Sequence, residues 1–234
     1  MTPKVSQEKQ LQLQELLSGI NFLKSANENE LRFLAMNSEL LRYSRFEIIF
    51  HKGDTSEHIY HVMSGIVKVS VHSVMAKEVI RSIAHKSMIF GEGSMCGEKE
   101  RSAMAQVLDK NSEILKISSR ALKKVFLQNG AVANDFLEIV GNKLRASEYR
   151  LESIIVEDAR TRVVNFLKEN AMNFGNKVGF NELLLKHSFT QQDIADFTGT
   201  SRQTVTTVLN DLKRSNIISL DRRRILIRDV AQLS

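Results

Sequence analysis

The chain has a single cysteine, Cys96, among 234 residues. One cysteine rules out an internal disulfide framework and a four-cysteine iron–sulfur site supplied by one chain, and it points to a reducing cytoplasm. No apolar run approaches the length needed to cross a bilayer, so no membrane partner is expected. The start, Met-Thr-Pro-Lys-Val-Ser-Gln-Glu-Lys-Gln, lacks the apolar stretch of a signal peptide. Absent too is any nucleophile–base arrangement or metal motif, which argues against an enzyme. What remains is ordinary in bulk, with 42% hydrophobic and 26% charged residues and enough chain for one large or two small domains. The net charge of +6 is unevenly placed. Between Ser201 and Arg228 stand seven cations (Arg202, Lys213, Arg214, Arg222, Arg223, Arg224, Arg228) against two anions (Asp211, Asp221).

Residues from about Glu8 to Arg45 read as helical, with capping-box spacing from Ser25 to Glu28 and Leu31, Leu34 and Ala35 following at helical intervals. From Phe46 the texture changes to short β-type runs: Phe46–Phe50, Ile59–Met63, Ile66–Val71, Glu78–Ile83, Ser102–Val107 and Ile114–Ile117. Glycines and polar turns, at Gly53 and Gly65 among others, separate them. Short strands at this spacing predict a small antiparallel barrel or sandwich.

After Ser118 the pattern is helical again. Leu137, Leu144 and Leu151 are seven residues apart, and Val140, Ser147 and Ile154 follow each by three. That is an a/d seam through three heptads, broken only by Ser147. A helix from about Ala131 to Glu157 would be roughly 40 Å long. A strict heptad favours a partner helix over burial in a core. Asp158 to Phe174 forms a further amphipathic helix that stops at Gly175, and Val178–Phe180 and Leu183–Leu185 are short strand candidates.

The most informative stretch comes next. Thr190, Gln191, Gln192 and Asp193 cap a short helix with Ile194, Ala195 and Phe197 inside, Gly199 permits a sharp turn, and Ser201 caps a second helix. At 100° per residue, Val205, Val208, Leu209 and Leu212 share one face of that helix. Gln203, Thr206, Thr207, Asn210 and Arg214 share the other, and Arg202 lies in the first turn. A solvent-facing stripe of arginine, glutamine, threonine and asparagine fits the reading of base edges in double-stranded DNA. Ile217–Leu220 and Ile225–Ile227 flank Asp221, Arg222, Arg223 and Arg224, a basic hairpin whose tip would meet phosphates.

Upstream, Gly91 and Glu92, then Arg101 and Ser102, carry the chemistry of phosphate and ribose recognition. A glycine lets a backbone N–H approach an anion, a carboxylate accepts from a ribose hydroxyl, and an arginine clamps phosphate oxygens. Taken together, the chain resembles the Crp/Fnr family of bacterial transcription regulators, and the resemblance covers nearly all of it. The strands Phe46–Asp54 and Ile59–Val71, with Gly53 and Gly65, look like the start of the family β-roll. The most specific match runs from Phe189 through Thr190, Gln191, Gln192, Asp193, Ile194 and Ala195, past Gly199, to Ser201, Arg202, Gln203, Thr204 and Val205.

The resemblance implies an α+β chain: an antiparallel, cyclic-nucleotide-binding-like β-roll with flanking helices (1–130), a dimerisation helix (131–157) and a winged helix-turn-helix (158–234). It implies a cytoplasmic homodimer on a near-palindromic site, with RNA polymerase as a further partner. The DNA-facing residues are then Thr190, Gln191, Ser201, Arg202, Gln203, Thr206, Thr207, Asn210, Arg222, Arg223 and Arg224. The dimer seam is Leu137, Val140, Leu144, Leu151 and Ile154. In cyclic-nucleotide-binding members, the residues matching Gly91, Glu92, Arg101 and Ser102 hold the ribose and cyclic phosphate, and a helix hydroxyl, here Ser147, touches the base. Cyclic AMP or cyclic GMP is the candidate effector on that basis.

Departures keep other inputs open. The loop between Glu92 and Arg101 looks one residue shorter than in cyclic-AMP-binding members, its acids Glu98 and Glu100 would oppose a phosphate, and Glu148 replaces a second helix hydroxyl. A haem or redox input through His51, His58, His61, His72 or Cys96 is one alternative, and regulation without a small-molecule ligand is another. In the recognition helix, Gln203 and Thr207 stand where cyclic-AMP-binding members carry a glutamate and a second arginine, so the target sequence should differ.

Overall fold

The amino-terminal stretch expected to be helical up to Arg45 divides into helix and strand. It is seen in a computed structural model of the protein that describes residues 7–73, 77–186 and 188–233. Residues 1–6 of the stretch read for a leader lie outside these. Helix α1 (Gln7–Ser18) leads through a 3-10 turn at Asn21–Leu23 into α2 (Glu28–Ala35). The cap of α2 is Asn27, not Ser25. The Asn27 side chain accepts from the Glu30 backbone N–H at 3.0 Å, and the Glu30 carboxylate accepts from the Asn27 N–H at 2.8 Å. Strand β1 (Ser38–Tyr43) follows where helix was expected.

The remaining strands of the roll are β2 (Ile48–Phe50), β3 (His58–Ser64), β4 (Val67–His72), β5 (Glu78–Ala84), β6 (Ile89–Phe90), β7 (Met104–Val107) and β8 (Ser112–Ser118). They make two four-stranded sheets in the orders β1-β8-β3-β6 and β2-β7-β4-β5. β1 pairs antiparallel with β8 from Ser38 opposite Ile117 to Tyr43 opposite Ser112. That pairing explains the missed strand, because its partner is far away in sequence and tertiary pairing overrides local propensity. Gly65 turns β3 into β4 at φ +95°, and a Cβ there would lie 2.0 Å from the Ser112 hydroxyl oxygen. Only glycine fits.

Between the sheets Phe50, Tyr60 and Phe90 form an aromatic stack with centroids 5.0 to 6.1 Å apart. Helix α3 (Ser119–Gln128), capped by Ser118, and the start of α4 (Gly130–Val156) pack on the other face of the first sheet. There Phe136 sits 5.4 Å from Phe22 and 5.2 Å from Phe126. Helix α4 runs for 27 residues, about 40 Å at 1.5 Å per residue.

Two compact units divide the chain, one of Met1–Val69 with Ile83–Ala146, the other of Ser70–Ser82 with Ser147–Ser234. In the second, Asp158 caps α5 (Ala159–Phe174) by accepting from the Thr161 N–H at 2.7 Å. Then come β9 (Asn176–Lys177), β10 (Leu183–Lys186), α6 (Gln191–Thr198), α7 (Arg202–Arg214), β11 (Ile218–Asp221) and β12 (Arg224–Ile227), with sheet order β11-β12-β10-β9. The strand expected at Val178–Phe180 is instead the connection from β9 to β10, and Phe180 is exposed. Residue pairing with β10 ends at Lys177, and after the Val178 N–H donates to the Glu182 carbonyl at 3.1 Å the chain turns into β10.

Candidate nucleic-acid interface and effector site

Local capping fixes the helix-turn-helix. The Thr190 hydroxyl accepts from the Asp193 N–H at 3.0 Å, and the Asp193 carboxylate accepts from the Thr190 N–H at 2.8 Å. Both orphan donors at the start of α6 are thereby satisfied. Gly199 ends α6 in the left-handed region at φ +66°, the usual device for turning the chain out of a helix. The Ser201 hydroxyl then accepts from the Thr204 N–H at 3.0 Å and starts α7.

The packing of α7 decides which side chains can meet a ligand. Val205, Val208, Leu209 and Leu212 are buried, each at most 3% exposed. Arg202, Gln203, Thr207, Asn210 and Arg214 are exposed on the opposite face, as the helical period required. Thr206 is half-buried and turned to α6, with its hydroxyl 2.6 Å from the Gln191 side-chain oxygen. Two residues expected at the DNA therefore hold each other. Thr190 and Ser201 spend their hydroxyls on caps, although Ser201 stays exposed beside Arg202.

The wing is the β11–β12 hairpin, closed by the pair Asp221 and Arg224. Arg222 and Arg223 form its tip, Arg223 with φ +61°, and the Asp221 carboxylate accepts from the Arg222 N–H at 2.6 Å. Arg222, Arg223 and Arg224 are all exposed. Among the described residues no carboxylate forms an ion pair with Arg202, Arg222, Arg223 or Arg224. Arg228, by contrast, pairs with Glu182 at 3.7 Å, and Arg214 with Asp211 at 3.8 Å. The four unpaired arginines are the ones free for phosphates or base edges.

Two supporting arginines were missed in the sequence. Arg162 of α5 donates to the Thr198 carbonyl at 2.8 Å and the Gly199 carbonyl at 3.5 Å, holding the turn between α6 and α7. Arg150 lies with its guanidinium 4.6 Å from the Phe197 ring of α6 and donates to the Arg81 carbonyl at 2.8 Å. Neither carries a motif signal, since an arginine on a helix is ordinarily a solvated side chain.

In the roll, Arg101 of the cassette is buried, Gly91 and Glu92 are half-buried, and Ser102 is exposed. Arg101 is 3% exposed. Its terminal nitrogens donate to the Gly91 carbonyl at 3.0 Å and to the His58 carbonyl, and its guanidinium lies 4.4 Å from the Phe50 ring centroid. Glu92 pairs with Lys143 of α4 at 2.7 Å, and the same ammonium donates to the Ile89 carbonyl at 2.7 Å. Glu98 accepts from the Ser102 N–H and the Ser56 hydroxyl, both at 2.9 Å. Burial pushes its carboxyl up, but those hydrogen bonds and nearby Arg101 outweigh burial and hold it below its ordinary value. Ser147 belongs to the second unit, and the α4 residue found at the cassette is Lys143. Cys96 is exposed, and among the described residues no group of three or more His, Cys, Asp or Glu side chains is arranged to hold a metal.

On α4 the heptad leucines stand out of the fold, Leu137 at 66%, Leu144 at 59% and Leu151 at 62% exposure, with Ile154 at 44%. Val140 differs, being partly buried against the core of the roll.

Comparison with known proteins decides the family. Residues 40–129 match the cyclic nucleotide-binding domain, and residues 161–234 match the Crp-like helix-turn-helix domain. The chain belongs to the Crp/Fnr family of transcription regulators. It is 25% identical over 224 residues to a CRP-like cAMP-activated global transcriptional regulator of Mycobacterium tuberculosis, covering 95% of this chain and 98% of the relative. It is 26% identical over 220 residues to the global nitrogen regulator of Synechococcus elongatus, covering 89% and 97%. The structure of FixK2 from Bradyrhizobium japonicum superposes with a TM-score of 0.75 over 84% of this chain and 95% of that one, at 19% identity, which shows the shared fold. Crp/Fnr regulators thus share the α+β plan found here, but these relatives are named for different inputs. Membership fixes the DNA-binding half and leaves the effector to the side chains of the roll. No helix among the described residues is long and apolar enough to cross a membrane.

Proposed function

We propose that this Crp/Fnr protein is a non-catalytic homodimeric regulator that acts in the cytoplasm, binds a near-palindromic operator through α7 and contacts RNA polymerase. The observation that carries the reading is the exposed face of Arg202, Gln203, Thr207 and Asn210, backed by a buried apolar face and flanked by an unpaired arginine wing. Arg202 and Gln203 read base edges in this account, Thr190, Gln191, Ser201 and Thr206 shape and flank that face, and Arg222, Arg223 and Arg224 take phosphates. Leu137, Leu144, Leu151 and Ile154 close the dimer, with Val140 at its margin. Arg202→Ala should cost about 1–3 kcal/mol per half-site and relax preference at one base position. Replacing the three wing arginines by alanine should weaken all sequences alike and flatten the salt dependence by about one unit of slope per lost contact. Operator selection and salt titrations of both variants test this. A wing variant with altered base preference beside an Arg202→Ala with none would reverse the roles.

A second reading concerns the input. The match of residues 40–129 to the cyclic nucleotide-binding domain, and the cassette of Gly91, Glu92, Arg101 and Ser102, support cyclic AMP or cyclic GMP as effector. As arranged, the terminal nitrogens of Arg101 are on backbone carbonyls and Glu92 is paired with Lys143, so a nucleotide would have to displace these contacts to bind.

A further inference from the structure

The geometry points to a roll ligated by its own side chains, in which Lys143 makes the connection between cassette and α4 that a small-molecule effector would otherwise make. Operator binding then requires no nucleotide. The inference rests on the DNA-binding reading above.

Four observations carry it. Arg101 is engaged through both terminal nitrogens, though its buried Nε has no partner among the described residues. Turning those nitrogens to a phosphate would strip the Gly91 and His58 carbonyls of their donor and move the cation off the Phe50 and Tyr60 rings. The side-chain direction of Gly91 is filled by the cassette itself, since a Cβ built there would lie 3.0 Å from an Arg101 terminal nitrogen and 3.1 Å from the Tyr60 ring. The roll interior holds the Phe50, Tyr60 and Phe90 stack, with Tyr60 and Phe90 5.0 Å apart and nearly parallel. Lys143, finally, neutralises Glu92 and also bonds the Ile89 carbonyl, so one ammonium ties β6 and the cassette to α4.

The consequence follows from what an effector must do. A ligand shifts a population only through contacts that differ between states. Here a cation from α4 itself occupies the place of such a contact, one residue before Leu144 of the exposed seam. Being tethered, it has no solution concentration to vary and is never diluted away. The positioning of α4 on the roll is therefore built in, and Lys143 is a positioning residue for DNA binding.

The test uses the full-length protein and an operator selected from random DNA. Wild type should bind that operator with no added nucleotide, and cyclic AMP or cyclic GMP should give no heat by calorimetry and no change in affinity. Lys143→Met should weaken operator binding about 5-fold to 20-fold, the low end of usual couplings because the pair is about a quarter exposed. Its thermal unfolding should stay cooperative, and Lys143→Arg should restore most of the affinity by keeping the charge. Affinity that rises with either nucleotide, or a Lys143→Met that binds as wild type, overturns the inference while leaving DNA binding intact. Failure to select any DNA sequence overturns the DNA-binding reading and this one with it.

Discussion

Replacing Leu144 and Leu151 of the long helix by aspartate should convert the protein to a monomer and abolish specific operator binding. The two side chains are 59% and 62% exposed in the single chain, so each has roughly three-fifths of its surface left to bury. Full burial of a leucine contributes about 1.5–3 kcal/mol, which leaves about 1–2 kcal/mol per side chain for the partner helix. Two leucines from each of two protomers then supply about 4–7 kcal/mol, or about three to five orders of magnitude in the dimer dissociation constant. Aspartate goes further than lost burial, since four carboxylates would face each other across a dry seam. Sedimentation velocity over a concentration series reads the dissociation constant directly. Operator binding at single half-site and full-site DNA shows whether specificity is lost with the dimer. A doubly substituted protein that stays dimeric would remove α4 as the dimerisation element.

Two further outcomes follow from groups outside the seam. Arg162→Met removes the cation that caps the carbonyls of Thr198 and Gly199, and hydrogen bonds from a charged donor contribute about 1.5–3 kcal/mol, so chemical denaturation should register a loss of that order. Operator affinity should fall with it, whereas an unchanged affinity would mean that the α6–α7 turn holds without the clamp. His61 is buried, and burial lowers its pKa from the ordinary 6.5 to about 4, so the unfolded chain takes up its proton first. The stability it contributes is present above pH 6.5 and lost as pH falls toward 4, by about 3 kcal/mol at most. Denaturation midpoints between those pH values should show that slope in wild type and lack most of it in His61→Gln, and equal slopes would contradict the assignment.

The parts of the fold legible in the sequence are those whose signals are local. Thr190 with Asp193, Gly199 and Ser201 are caps and turns that act within a few residues, and the alternation of buried and exposed positions on α7 is set by helical period alone. The amino-terminal region was misread where the deciding partner is distant. Ser25 to Glu28 and Asn27 to Glu30 have the same spacing, and nothing nearby separates them. What does is Asn129, which donates to the Glu30 carboxylate at 2.9 Å, while the Ser25 hydroxyl is taken by Asp135 at 2.9 Å. Strand β1 was lost in the same way, because Leu40 and Leu41 find their register on Leu115 and Ile114 of β8.

The site divides along the same line, with burial as the variable that residue type cannot supply. Arg101 and Arg202 are the same side chain, one in a motif that reads as phosphate recognition and the other in a stripe that reads as base-edge recognition. Arg202 is exposed and forms no ion pair among the described residues, so an external phosphate or guanine meets a cation whose only competitor is water. Arg101 is 3% exposed, and its planar head is spent on two carbonyls and two rings. Its two terminal nitrogens are compensated while its buried Nε has no hydrogen-bond partner among the described residues, and an incoming anion would have to replace the contacts those terminal nitrogens and the rings make. Lys143 was invisible for a related reason, since a heptad reading sorts α4 into seam and solvent and has no class for a residue that turns back onto its own roll. Arg202, Arg222, Arg223 and Arg224 are exposed and form no ion pair among the described residues, whereas Glu92 and Arg101 of the roll are bonded within the chain. A Crp/Fnr plan with that distribution offers its unpaired cations to DNA and, on the inference above, positions α4 on the roll through Lys143.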